Sequence, residues 1–220
     1  MARLPRPFAP GLPAHLVVRG NNRQALFRSE GDRIFFHRCL VEAATRSGIK
    51  VHAYVLMTNH VHLLATEECA NSFGNAIQML GRRYVSYFNY LHQRTGGLWE
   101  GRYRSCFVDS DRYFLACQRY IEENPVRANM VAIPEQYAWS NHRANLGLAR
   151  DDLVSPHPVF LDLGAGEGRR AESYRAFFRM EKPAEELKKI RDCLNSGGAL
   201  GDDAFCKRIE QLTRIKPRGV

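Results

Sequence analysis

The stretch KVHAYVLMTNHVHLLA, residues 50–65, places two β-branched, apolar runs either side of Thr58-Asn59. Two strand-like runs joined by two polar residues predict a tight β-hairpin, with strands Lys50–Met57 and His60–Ala65. Strand side chains alternate, so His60 and His62 project from one face while Val61 and Leu63 project from the other. Two imidazoles converging on one point can hold a divalent cation if a third ligand arrives from another element. Equally, two histidines on a sheet can simply hydrogen-bond to their neighbours.

Outward from the hairpin, the remaining elements follow by pattern. Residues 15–19, HLVVR, form a short strand that stops at Gly20-Asn21-Asn22. Residues 32–47 repeat apolar side chains at helical spacing and meet Gly48, a C-terminal stop. A second helix runs from Asn71 to about His92, and Leu98 to Val108 reads as another strand. In that strand Trp99, Tyr103 and Phe107 share a face, serving either a core or base stacking. Asp109-Ser110-Asp111 then supplies N-cap chemistry for a helix through Tyr120, with Asn124-Pro125 as the break. The order β-α-β-β-α-β-α predicts an α+β fold: a ferredoxin-like split βαβ antiparallel sheet with helices on one face. Beyond a Gly/Ser/Pro-rich loop at 155–168, a helix over 172–192 opens a C-terminal helical extension. The expected division is 1–150 for the main domain and 151–220 for that extension.

Charge narrows the partner. The 220 residues carry 32 Lys+Arg against 23 Asp+Glu, a net charge of +9. Only six of the basic residues are lysine, leaving 26 arginines. Arginine clamps phosphate bidentately, although a GC-rich genome produces the same skew. Residues 1–150 hold +8 of the excess and residues 151–220 only +1, so a polyanion would meet the main domain. No run of about 18 apolar residues occurs, and the Pro-broken opening stretch MARLPRPFAPGLPAH has no apolar segment. Six cysteines are scattered without a CxxC pair, which argues against a zinc ribbon or disulfide framework. The expectation is a cytoplasmic protein with no membrane partner.

A second cluster, Tyr120-Ile-Glu-Glu-Asn124-Pro125-Val126-Arg127, puts Tyr120 and Asn124 one helical turn apart. An amide oxygen there could complete a site of two imidazoles and one neutral oxygen, leaving the cation's full charge for a phosphate. Taken alone, Tyr120 is as readily a helix-surface aromatic and Asn124 a pre-proline turn residue.

Four segments together resemble the HUH single-tyrosine transposases, and more closely the REP-associated tyrosine transposases: VVRGNNR (17–23), YVLMTNHVHLL (54–64), GLWEGRYRS (97–105) and YIEENPVRANMV (120–131). They run in order across about the first 145 residues; beyond residue 150 only LGDDAFCKRIEQL (200–212) looks like a tail found on some members. The resemblance implies that His60, His62 and Asn124 bind a divalent cation, Mg²⁺ or Mn²⁺, and that Tyr120 is the nucleophile. It implies cleavage of single-stranded DNA through a 5′-phosphotyrosine link, on hairpins of REP-like palindromes, by a monomer or homodimer associated with the nucleoid when bound to DNA. A free phenol, with a pKa of about 10, is only about one-thousandth ionised at neutral pH, so such a nucleophile needs activation. Arg19, Asn21, Arg23, Arg82, Arg83, Arg102 and Arg104 are the expected DNA contacts. The alternatives are a domesticated protein that binds repeated palindromes without cutting them, and a metallohydrolase using the His-Val-His strand.

Overall fold

The computed structural model describes residues 8–213; the first seven residues of the Pro-broken opening stretch lie outside them. Strand β1 (Pro13–Arg19) leads through a 3-10 turn to helix α1 (Glu30–Ser47). A reciprocal cap starts this helix. Ser29 Oγ accepts from the Asp32 N–H (3.2 Å), and the Asp32 carboxylate accepts from the Ser29 N–H (3.0 Å). The helix ends at Gly48, whose φ of 64° is a left-handed stop that a side chain would strain. Strands β2 (Ile49–Leu56) and β3 (His60–Glu67) form the expected hairpin, closed by the Met57 N–H on the His60 carbonyl at 2.9 Å.

Helix α2 (Ser72–Leu91), strand β4 (Arg104–Val108), helix α3 (Ser110–Glu122) and the short helix α4 (Asn124–Arg127) follow. Asp109 caps α3 by accepting from the Asp111 N–H. The chain continues with α5 (His142–Asn145), α6 (Pro158–Leu161), α7 (Glu167–Arg179), α8 (Ala184–Ser196), β5 (Ala199–Leu200) and α9 (Asp203–Thr213). No helix among the described residues is long and apolar enough to cross a membrane.

The sheet order is β2-β3-β1-β4-β5. The first four strands are antiparallel and β5 pairs parallel with β4, so the split βαβ sheet is extended at one edge into a mixed five-stranded one. Alternation sorts the strand residues into two cores. Leu16, Val18, Val61 and Leu63 meet α1 and α2 through Phe36, Leu40, Leu80 and Tyr84. Val17, Val55, Leu64 and Cys106 meet Phe114, Cys117 and Ile121 of α3 and Ile190 and Leu194 of α8. The crossover helices α1 and α2 therefore share one face, as expected. The opposite face is covered too, by α3 and the extension.

Two elements depart from the sequence reading. The strand expected over 98–108 begins only at Arg104. Gly101, at φ 81°, turns the chain, and residues 98–100 instead lie along the end of β1, through Asn21 N–H to the Leu98 carbonyl (2.9 Å) and Glu100 N–H to the Arg19 carbonyl (2.8 Å). Trp99 and Tyr103 thus do not alternate with Phe107 along one strand, yet all three pack on the α1/α2 core. The helix expected over 172–192 is two helices, α7 and α8. Pro183, with no N–H, stands at the break as the cap of α8.

Candidate active site

Antiparallel pairing of β1 with β3 sets Arg19 opposite His60, Val17 opposite His62 and His15 opposite Leu64. These six side chains share the face that α3 covers. His60 and His62 do converge: their ring centroids are 4.9 Å apart at 76°. Tyr120, buried on α3, brings its ring to 6.1 Å from that of His62. Asn124, one turn on, donates Nδ2 to the carbonyls of Tyr120 (3.1 Å) and Ile121 (3.2 Å). Its Oδ1 is the atom that could meet a cation; the amide's own hydrogen bonds run back to the last turn of α3 and not to either histidine.

Two further residues join the cluster. His15 is fully buried, and its Nε2 lies 2.8 Å from His62 Nδ1. Its ring centroid is 5.8 Å from that of Tyr120. Arg127 holds its guanidinium carbon 4.2 Å over the Tyr120 ring and donates Nη2 to the Tyr120 carbonyl. The sequence signals were present: His15, Val17 and Arg19 have the same strand parity, and Arg127 follows Asn124-Pro125. Which parity faces α3 depends on a pairing made across 47 residues, and no local pattern reports that.

The electrostatics suit neutral imidazole donors. Burial, then the Arg19 charge, pushes His60 down to about 4. Burial, then Arg127, takes His15 to about 3. His62 is held well below its ordinary value by burial first, then by His15, His60, Arg127 and Arg19. All three are neutral at pH 7, the form that ligates a metal. His60 Nδ1 is 2.7 Å from Asn59 Oδ1; an amide oxygen only accepts, so Nδ1 carries the proton and Nε2 keeps its lone pair. His62 Nδ1 is likewise engaged, by His15. Each ring thus has one nitrogen anchored, as metal-ligating histidines usually do: His60 leaves Nε2 free, and His62 leaves Nε2 free when its own Nδ1 is the donor to His15. Among the described residues no group of three or more His, Cys, Asp or Glu is arranged to hold a metal ion, so a third donor would come from another residue type, such as the Asn124 amide.

The expected DNA contacts do not gather in one place. Arg19, Asn21 and Arg23 stand at the His60 end of the hairpin, where Gly20 N–H bonds the Asn59 carbonyl (2.9 Å) and Asn59 Nδ2 bonds the Arg23 carbonyl (3.2 Å). No side chain fits at Gly20, where a Cβ would meet the Gln24 carbonyl oxygen at 2.3 Å. Arg82 and Arg102 line a groove beside Trp99 on the α2 side of the sheet. Arg83 is ion-paired to Glu42, and Arg104 bonds Asn195 of α8 at 3.2 Å.

Residues 9–124 match the family model for IS200-like transposases. The chain belongs to the IS200-like transposase family. That match spans the His-Val-His strand, Tyr120 and Asn124. Among solved structures, this IS200-like chain is similar to a REP-associated tyrosine transposase bound to a REP hairpin, with a TM-score of 0.56 and 16% identity over 70% of this chain and 92% of that one. It is also similar to a protein assigned as a transposase from Deinococcus radiodurans, with a TM-score of 0.38 and 28% identity over 56% of this chain and 97% of that one. The first likeness carries the fold; no curated protein matches the chain.

Proposed function

We propose that this IS200-like transposase cleaves and rejoins single-stranded, hairpin-bearing DNA of the REP-palindrome type, with Tyr120 as the nucleophile. The observation that carries the reading is the edge-on contact of two neutral imidazoles, His15 and His62, with the Tyr120 ring, with His60 beside His62 and the Arg127 guanidinium over the Tyr120 ring. A buried phenol beside imidazoles and a guanidinium supports attack on a phosphodiester over a role in packing alone. The hairpin substrate is drawn from the REP hairpin in the similar structure.

In the step proposed, Tyr120 Oη forms a bond to phosphorus as the bond from phosphorus to the 3′ oxygen breaks. The phenol loses its proton, the departing 3′ oxygen gains one, and the tyrosine is left on the 5′ phosphate. The new ester conserves the energy of the old one, so rejoining is the same step reversed. A divalent cation, Mg²⁺ or Mn²⁺, held by His60 and His62 with the Asn124 amide oxygen, would polarise a non-bridging phosphate oxygen and offset transition-state charge. The chain's own parts do the rest. Asn59 orients His60, and Asn124 and Arg127 bind the backbone at Tyr120 and set its helix turn.

Arg19, Asn21 and Arg23 are proposed to grip the phosphates entering the site, with Arg82, Arg83, Arg102 and Arg104 as outlying contacts. Residues 1–150 are taken as the catalytic unit and 151–220 as an extension whose α7–α8 region buttresses α3. Arg119 bonds the Phe177 carbonyl at 3.0 Å, and Lys182 pairs with Glu123 at 2.5 Å. The protein is proposed to act on the nucleoid.

The test is a covalent-adduct assay with single-stranded REP-like hairpins and Mg²⁺ or Mn²⁺. Wild type should yield a protein–DNA adduct and Tyr120→Phe none, with hairpin binding kept. An adduct that persists in Tyr120→Phe overturns the assignment.

A further inference from the structure

His15 lies outside the two histidines and the tyrosine that the function uses directly, yet it is the side chain that holds His62. It sits on the neighbouring strand, diagonal to His62, with no exposed surface, and its only hydrogen bond among the described residues is Nε2 to His62 Nδ1 at 2.8 Å. Its other ring nitrogen, Nδ1, is buried with no hydrogen-bond partner among the described residues.

Counting protons over this pair gives two states. Two neutral imidazoles carry two N–H protons on four nitrogens, and the shared bond uses one of them. In the first state His15 Nε2–H donates to His62 Nδ1. His62 then bears its own proton on Nε2, where it blocks a cation. In the second state His62 Nδ1–H donates to His15 Nε2, so His62 Nε2 presents a lone pair and the His15 proton sits on Nδ1. That proton is then a buried donor without an acceptor, an arrangement that costs free energy. A cation on His62 Nε2 admits only the second state.

We propose that His15 is the positioning residue for His62: it accepts the His62 Nδ1–H, fixes the ring plane, and makes the cation-binding tautomer one of two coupled states rather than the resting one. This inference rests on the reading of His62 as a metal ligand. A bare Ala or Phe at position 15 would leave His62 Nδ1 without a partner inside the fold. An amide at the same place could still accept from it through oxygen.

The experiment uses the full chain without DNA and Mn²⁺ alone as probe, with affinity read by electron paramagnetic resonance. His62→Ala should lose Mn²⁺ binding. His15→Phe, a ring of similar shape, should weaken it by about 10- to 100-fold, whereas His15→Gln should restore it to within a few-fold of wild type. Mn²⁺ affinity unchanged in His62→Ala overturns the ligand reading itself. Affinity lost in His62→Ala but unchanged in His15→Phe leaves that reading standing and overturns the role of His15. Failure of His15→Gln to rescue where His15→Phe is impaired also overturns it, by pointing to packing.

Should His15→Phe fail to fold, ¹⁵N ring shifts of wild type answer the same question. Adding diamagnetic Zn²⁺ should move the His62 proton from Nε2 to Nδ1 and the His15 proton from Nε2 to Nδ1 together. A His15 that keeps its Nε2 proton with metal bound overturns the proposal.

Discussion

Arg127 lies with its guanidinium carbon 4.2 Å above the Tyr120 ring, and its Nη1 is buried without a hydrogen bond among the described residues, 3.9 Å from Glu123 Oε2. Glu123 is already engaged by Lys182 at 2.5 Å. Positive charge on Arg127 is therefore left partly uncompensated beside the proposed nucleophile.

That placement predicts a catalytic effect with little effect on affinity. Arg127→Gln should slow single-turnover cleavage about a hundredfold, the size seen when one preorganised donor to a transition state is removed. Arg127→Lys should fall between, because a point charge cannot lie flat on the ring. Hairpin affinity within a few-fold of wild type, measured in parallel, separates this from lost binding. A rate unchanged in Arg127→Gln would refute it.

The hydrogen bond from His60 Nδ1–H to Asn59 predicts graded metal dependence. His60→Ala should abolish cleavage at every Mg²⁺ or Mn²⁺ concentration. Asn59→Ala keeps the ligand and removes its anchor, so half-maximal cleavage should need about tenfold more metal. A titration of cleavage rate against metal concentration reads both.

Glu122 is fully buried and is a junction between α3 and the chain beyond it. Its carboxylate accepts from Asn141 and Asn145 (2.8 Å each), His142 (2.5 Å) and Tyr174 (2.9 Å). Gln118 Nε2 is a fifth donor at 3.3 Å, so Glu122→Ala strands five partners at once and should cost about 3–5 kcal/mol of stability. Tyr174→Phe removes a single donor and should cost about 1 kcal/mol. Urea unfolding with an unchanged slope is the check.

Acid should destabilise the fold through buried histidines. His52 bonds the Ser155 carbonyl and Thr66, and burial, its largest influence, takes it to about 4 from 6.5. Between those values the unfolded chain holds a proton that the folded chain refuses. Its stabilising effect is therefore complete above pH 6.5, falls as pH drops, and is lost by about pH 4, roughly 3 kcal/mol in all. Urea midpoints at pH 7 and 4.5 should converge in His52→Gln relative to wild type; an equal loss in both would exclude His52 as a cause.

Phosphate grip should differ among the arginines. Arg19→Ala and Arg23→Ala should each lower the slope of log affinity against log salt by about one. Arg83→Ala, whose side chain is bound to Glu42, should change it by much less. Hairpin binding measured from low to moderate salt distinguishes them.

Legibility in the chain follows the range of each interaction. The hairpin, the convergence of His60 and His62, the Gly48 stop and the Asp109 cap rest on neighbours a few residues away, and the residues display them directly. The end of the strand at Arg104 was not visible because Gly101 and the pairing of residues 98–100 with β1 compete with β propensity. The split of α7 from α8 was partly visible in Pro183, and helical periodicity on both sides of it masked the break.

By itself the sequence determined the element order through α3, the shared face of the two histidines, the turn separating Tyr120 from Asn124, and the concentration of positive charge in the first 150 residues. All of these follow from side-chain period and local backbone preference. Only the tertiary structure decided that His15 meets His62, that Arg127 covers Tyr120, and that the extension closes the second face of the sheet. Those contacts depend on strand register and on how helices dock over the sheet, where burial is shared among residues far apart in the chain.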